Sequence, residues 1–261
     1  MAKVQLLPWV WAASGAVALV TLFLVTPLSL VGCVAGVTYL FVSSLLFSLG
    51  LGRRGLIRLG PANATTTTRS TLVGLATSLV VTAFTRPIPV PLLVAFTVAA
   101  LLLDGVDGWL ARRFRSESEL GARFDMEVDA FLMLVLSVFD GRYLGWWILT
   151  IGLMRYAFVG VGWVLPWMRV PLPPRYWRKV VTAVAGIALT FGATGWIPVA
   201  GAIGLGAALL LLVESFGRDV AWLFRRAQRW DRNGVPGRQS VPRADGSLLS
   251  PPPDGRSTIR S

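Results

Sequence analysis

The chain has 261 residues, 54% of them hydrophobic, with a formal charge of +12, one cysteine and no histidine, and its mean hydropathy is +0.65. A soluble domain cannot hide that much apolar surface, so the composition points to a polytopic membrane protein. Lone Cys33 leaves no disulfide or thiolate metal site, and the lack of histidine excludes both a His general base and His-ligated zinc.

A helix needs about 20 apolar residues to cross ~30 Å of hydrocarbon. Eight segments are candidates, near 9–27, 28–50, 66–86, 88–110, 121–140, 144–167, 179–197 and 198–217, the third and fourth reaching full length only with their polar cytosol-side ends. The expected architecture is therefore an all-α polytopic membrane helix bundle. Residues 1–50 form an N-terminal transmembrane hairpin, uncharged from 9 onward, that packs or anchors. The opening "MAK" is a weak positive flank, but the long apolar run without a cleavage site reads as an uncleaved helix. Residues 51–69 read as a basic juxtamembrane link lying in the headgroup zone, and 70–218 as a six-helix core. From 219 to 261 the chain turns to Arg, Pro, Gly and Ser and reads as a disordered basic tail.

Charge is not spread evenly. Arg53, Arg54 and Arg58 share one connection, Arg112, Arg113, Arg115 and Arg123 the next but one, then Arg169, Arg175, Arg178 and Lys179, and finally Arg218, Arg225, Arg226 and Arg229. The alternate connections hold only Arg86 and Arg142. This positive-inside pattern places both termini in the cytosol. It turns the net charge away from nucleic acid and toward anionic lipid headgroups. The eleven tryptophans, Trp146, Trp147, Trp163 and Trp167 among them, fall mostly near helix ends, as an aromatic belt does.

The stretch "DGVDGWLARRFRSESELGARFDMEVD", residues 104–129, breaks the apolar pattern. A carboxylate at membrane depth costs several kcal/mol unless something pairs with it. On a helix Asp104, Asp107, Gly108 and Ala111 share one face, and Gly121, Asp125 and Asp129 share another. The small residues clear space beside the acids. Oxygen-only donors suit Mg²⁺, Mn²⁺ or Ca²⁺ rather than zinc, and four aspartates can hold two divalent ions about 4 Å apart. The bland alternative is an ion network with Arg112, Arg113, Arg115 and Arg123, against which the glycines in register count.

The pattern Asp104-x2-Asp107-Gly108-x2-Ala111-Arg112-x8-Gly121-x3-Asp125-x3-Asp129 resembles the signature of the CDP-alcohol phosphotransferase family, integral membrane enzymes of phospholipid synthesis. The likeness extends over about 60–217, the family's six-helix core. It implies two Mg²⁺ (or Mn²⁺) ions bridged by Asp104 and Asp125, with Asp107 and Asp129 completing the sites and Asp129 as the catalytic base. Gly108, Ala111, Arg112 and Gly121 would line the CDP-alcohol site, with Ser118 reaching its phosphates. Upstream, "NATTTTR" resembles the family's Asn-x2-Thr-x2-Arg entry, which adds Asn63 and Thr66 to the nucleotide site. The implied reaction moves a phosphatidyl or other phosphoalcohol group from a CDP-alcohol such as CDP-diacylglycerol to an acceptor alcohol, releasing CMP. The resemblance also implies a homodimer. "MEVDAFLML" after Asp125 matches neither phosphatidylglycerophosphate nor phosphatidylserine synthases, so the acceptor is open.

Arg155 has two readings: a ligand for the acceptor, or a partner of Glu127, Asp140 or Glu214 holding helices together. Arg175, Arg178 and Lys179 either bind an acceptor phosphate or serve only the positive-inside pattern. A divalent-cation transporter would need its polar path to continue across the bilayer, and 71–85 and 180–197 hold no acids. A non-catalytic scaffold would not need the motif intact.

Overall fold

A computed structural model of the chain describes residues 2–54, 61–114, 119–170 and 176–232, with side chains over 11–50, 65–106 and, apart from 166, 169 and 171–175, 121–228. Among the described residues there are eight α-helices and no strand. They are α1 Ala2–Val25, α2 Leu30–Arg54, α3 Pro61–Thr82, α4 Val90–Phe114, α5 Glu119–Leu144, α6 Leu149–Val164, α7 Tyr176–Thr194 and α8 Pro198–Arg232. Each expected segment falls on one helix.

The breaks follow from backbone chemistry. Pro27 lies between α1 and α2, and Pro87 and Pro89 lie between α3 and α4, where a ring in place of the N–H cannot continue the ladder. Gly145 and Gly195 turn the chain at φ 110° and 64°, values that a side chain would oppose.

Among the described residues three stretches, Leu30–Gly50, Trp146–Val164 and Pro198–Gln228, are long and apolar enough to cross a membrane by themselves. The helices between them carry buried polar groups that only the bundle hides. Large apolar side chains such as Leu24, Leu30, Phe41, Leu102, Trp163 and Leu210 stay exposed on the outside, which suits a hydrocarbon surround.

At the centre stands α3, packed against α1, α2, α4 and α5. Its residues Val73, Leu75, Leu79 and Val80 join Leu132, Leu136 and Phe139 of α5 in two apolar clusters. It is also rich in Ser and Thr. Thr71, Thr77, Ser78 and Thr82 donate to the carbonyl four residues earlier, so their hydroxyls are satisfied inside the helix. Against α2 the packing is close enough that a Cβ on Gly32 would lie 2.6 Å from the Ser78 carbonyl oxygen. Small residues at such crossings bring backbones together where lipid offers no hydrophobic drive. A polar seam runs along the same contact. The Ser29 amide donates to Thr82 Oγ1 at 3.1 Å, and Ser70 Oγ to Ser43 Oγ at 3.2 Å. The N-terminal hairpin is thus part of the bundle's core.

Two boundaries differ from expectation. The link expected over 51–69 is not one: α2 runs to Arg54 and α3 starts at Pro61, with 55–60 outside the described residues. Pro suits a helix start, and the helix that Pro61 opens runs unbroken to Thr82. Nor does a tail begin at 219, because α8 continues to Arg232. Buried Asp219 and Leu223 face the bundle, and Phe224 meets Trp167 edge to face at 5.9 Å, so this stretch has partners that a free tail lacks. Residues 233–261 lie outside the described residues.

Candidate functional site

α3, α4 and α5 each bring a charged residue to one place. Asp104 sits on α4, and Asp125 and Asp129 lie one turn apart on α5. One ligand oxygen from each can be chosen so that all lie within 4.8 Å of one another. Oxygens sharing one hard cation at about 2.0–2.6 Å cannot be much farther apart than twice that bond, so the cluster fits such an ion. The donor set is oxygen alone, which selects Mg²⁺, Mn²⁺ or Ca²⁺ over softer metals.

Arg69 of α3 faces these acids. Its Nη1 lies 2.9 Å from Asp104 Oδ1, and it also pairs with Asp125 through Nη1 and with Asp129 through Nη2. The arginine side chain is 1% exposed, while those of Asp104, Asp125 and Asp129 are 45%, 29% and 26% exposed. A positive group thus stands at the back of a negative cluster that opens outward. Charge-assisted bonds from a rigid planar fork fix both the arginine and the carboxylates.

What sets Arg69 in place lies behind it. The next residue, Ser70, bonds Ser43 of α2 and lies 3.5 Å from the Tyr39 hydroxyl. The Tyr39 ring stacks on Phe131 of α5 with centroids 4.6 Å apart, and Phe47 meets Phe124 at 4.7 Å. The hairpin therefore braces α3 and α5, two of the three helices that bring charge to the site.

The other expected site residues divide by location. Thr66 is buried one turn before Arg69, and Gly121 lies one turn before Asp125. Asp107, Gly108, Ala111 and Arg112 continue α4 beyond Asp104, and Asn63 lies in the first turn of α3, but their side chains are outside the described residues. Ser118 and Arg175 lie outside them altogether.

Arg155 does not reach the cluster. It pairs with Glu127, which at about 100° per residue points away from the Asp125–Asp129 face of α5. Of the two readings, the structure holds the one in which Arg155 ties α6 to α5. Arg178 Nη1 lies 3.3 Å from the buried Asp219, joining the start of α7 to α8, and Lys179 is exposed beside it. Glu214 accepts from Trp177 Nε1 at 3.0 Å and pairs with Arg218.

Arg69 is the site residue that the sequence reading passed over. Its signal was present: it ends the Asn63-x2-Thr66-x2-Arg69 run and is the one charged residue of α3. Tyr39 and Ser43 had no such signal, since nothing in an apolar hairpin marks which face meets a site.

Fold and cluster together describe an all-α membrane helix bundle that carries an acidic cluster able to accommodate a metal ion. More particularly, the chain belongs to the CDP-alcohol phosphatidyltransferase family, whose model matches residues 60–213, from the start of α3 into α8. Comparison with curated proteins and with solved structures gives no match. The family transfers a phosphoalcohol group from a CDP-alcohol to an alcohol and is typically dependent on a divalent metal. The match begins at residue 60 and so takes in the whole of α3.

Proposed function

We propose that this protein transfers a phosphatidyl group from CDP-diacylglycerol to an acceptor alcohol, with release of CMP. The observation that carries the reading is the convergence of Asp104, Asp125 and Asp129 from two helices within the family match. A site opening from a bundle with an apolar exterior suits a donor anchored in the bilayer, which arrives by lateral diffusion.

In this reading Asp104, Asp107, Asp125 and Asp129 would hold two Mg²⁺ (or Mn²⁺) ions. Bound there, the ions supply charge neutralisation of the pyrophosphate, which makes CMP a good leaving group. Asp129 accepts the proton of the acceptor hydroxyl as that oxygen forms its bond to the phosphatidyl phosphorus. The bond from this phosphorus to the CMP oxygen breaks, and CMP departs with the electron pair. Gly108, Ala111 and Gly121 leave room for the nucleotide, and Arg112, Asn63, Thr66 and Ser118 bind it and its phosphates. Arg175, Arg178 and Lys179 recognise the acceptor, while Arg155 keeps its structural pair. Positioning and charge stabilisation supply most of the acceleration. In this reading the site faces the cytosol, the side that the arginine pattern assigns to the α4–α5 connection.

The test is to incubate purified protein in detergent with labelled CDP-diacylglycerol, Mg²⁺ and a panel of alcohols, and to follow CMP and lipid product. Alcohol-dependent CMP release with one new lipid is expected. A folded protein that releases no CMP with any alcohol overturns the proposal.

A further inference from the structure

We propose that Arg69 is an internal counter-cation that exchanges with the divalent ion. Its guanidinium neutralises Asp104, Asp125 and Asp129 in the metal-free protein and gives up their oxygens when an ion binds. The inference rests on the cluster being a cation site, and not on which group is transferred.

Four observations lead there. The guanidinium contacts all three carboxylates that converge closely enough to hold one ion. Each lone pair that accepts from Arg69 is withheld from a cation, and a positive charge beside three shared carboxylates opposes a second positive charge. Arg69 is 1% exposed while its partners are 26–45% exposed, so an ion arriving from the open side meets the carboxylates first. Its backbone is pinned: Ser70 is bonded to Ser43, and α3 lies in close contact with the glycines of α2. Exchange therefore needs only the long side chain to change rotamer, with no movement of α3.

A fixed structural arginine predicts the opposite behaviour. If Arg69 only held the carboxylates in place for the metal, its removal would loosen them and weaken metal binding. If it competes, removal strengthens binding while destabilising the metal-free protein, where three carboxylates are left facing one another.

The experiment uses the full chain in detergent without nucleotide. Mn²⁺ binding is measured from the electron paramagnetic resonance signal of free Mn²⁺, and Tm is recorded in EDTA and in Mn²⁺. Arg69→Met removes the charge but keeps a flexible chain. It should bind Mn²⁺ about tenfold or more tightly than the unsubstituted protein, because a positive charge has left the cluster. It should also melt lower in EDTA and gain more Tm from Mn²⁺. Arg69→Lys keeps the charge as a single point and should stay within about threefold of the unsubstituted affinity. Folding of Arg69→Met only in the presence of Mn²⁺ also supports exchange, since the ion then replaces the guanidinium. Equal or weaker Mn²⁺ binding by Arg69→Met overturns the exchange and leaves the cation site standing. So does failure to fold with Mn²⁺ present. Lack of Mn²⁺ binding by the unsubstituted protein removes the cation site, and the exchange falls with it.

Discussion

Asp129→Asn separates chemistry from architecture, because the two effects differ in size. An amide keeps an oxygen that can accept from Arg69 Nη2, so the contact survives while the charge is lost. Removing one partner of a buried ion pair costs about 3–5 kcal/mol. Arg69 retains Asp104 and Asp125, and Asp129 is 26% exposed, so about a third of that is expected, or ~1–1.5 kcal/mol. In a domain of this size such a loss lowers Tm by about 2–6 °C. A general base contributes about 10²–10⁴ in rate, equivalent to ~2.7–5.4 kcal/mol of barrier. The variant should therefore remain folded at 25 °C and lose at least a hundredfold in CMP release per folded molecule. The assay is turnover normalised to the folded fraction, with donor binding and Tm measured on the same preparation. Turnover within about threefold of the unsubstituted enzyme would refute the assignment of Asp129 as base, because base catalysis supplies more than that. A Tm loss well above 6 °C would show instead that the charge is needed for folding.

Asp104→Asn should weaken both metal and donor binding, and EDTA should abolish CMP release until Mg²⁺ or Mn²⁺ is restored; full release in chelator refutes the cation reading. Gly32→Ala should lower Tm by several degrees, because its Cβ would meet the Ser78 carbonyl oxygen at 2.6 Å, whereas Gly204→Ala, with nothing within 4 Å, should leave Tm unchanged; equal effects would dissociate the hairpin from the core. Asp140→Asn should leave Tm unchanged or raised, since the buried carboxylate has no hydrogen-bond partner among the described residues; a clear fall in Tm would reveal one. With Cys33 replaced, Tyr143→Cys and Tyr176→Cys, at 67% and 82% exposed, should label from opposite sides of the membrane; labelling of both from one side refutes the topology expected from the arginine pattern.

The helices were legible because most are apolar runs bounded by Pro or Gly, and the bilayer sets a common minimum length for a crossing. Their ends were less so, for a physical reason. At 61–69 the Thr run looks like a polar linker, but Pro61 opens a helix that carries straight on into the apolar part of α3. At 219–232 the arginines gave the impression of a tail, while Leu223 and Phe224, spaced to reach the bundle, decide the outcome. In the site, Asp125 and Asp129 could be paired from their spacing of four, and Asp104 followed from its own helix. Arg69 could not be joined to them, because 35 residues separate it from the nearest aspartate and only the tertiary packing of α3 brings it there. Arg155 was left with two readings since periodicity cannot say which helix a mid-membrane cation will face. The Glu127 contact selects one.

Charge explains why an arginine belongs behind a cation site at all. Within a bundle packed this tightly, three converging carboxylates must be neutralised before any ion arrives, or their mutual repulsion opposes the packing of α4 and α5 on α3. Three carboxylates and one guanidinium leave two net negative charges, which a single divalent ion cancels. Each further cation, in the presence of Arg69, carries the centre toward positive and so toward an anionic diphosphate. Had the position been apolar, the metal-free bundle would hold an uncompensated cluster. Had the arginine been exposed and the acids buried, an ion would meet like charge first. The observed order, with the cation buried and the acids open, avoids both, and it requires the hairpin, because Ser43 and the glycines of α2 are what hold the α3 backbone at that depth.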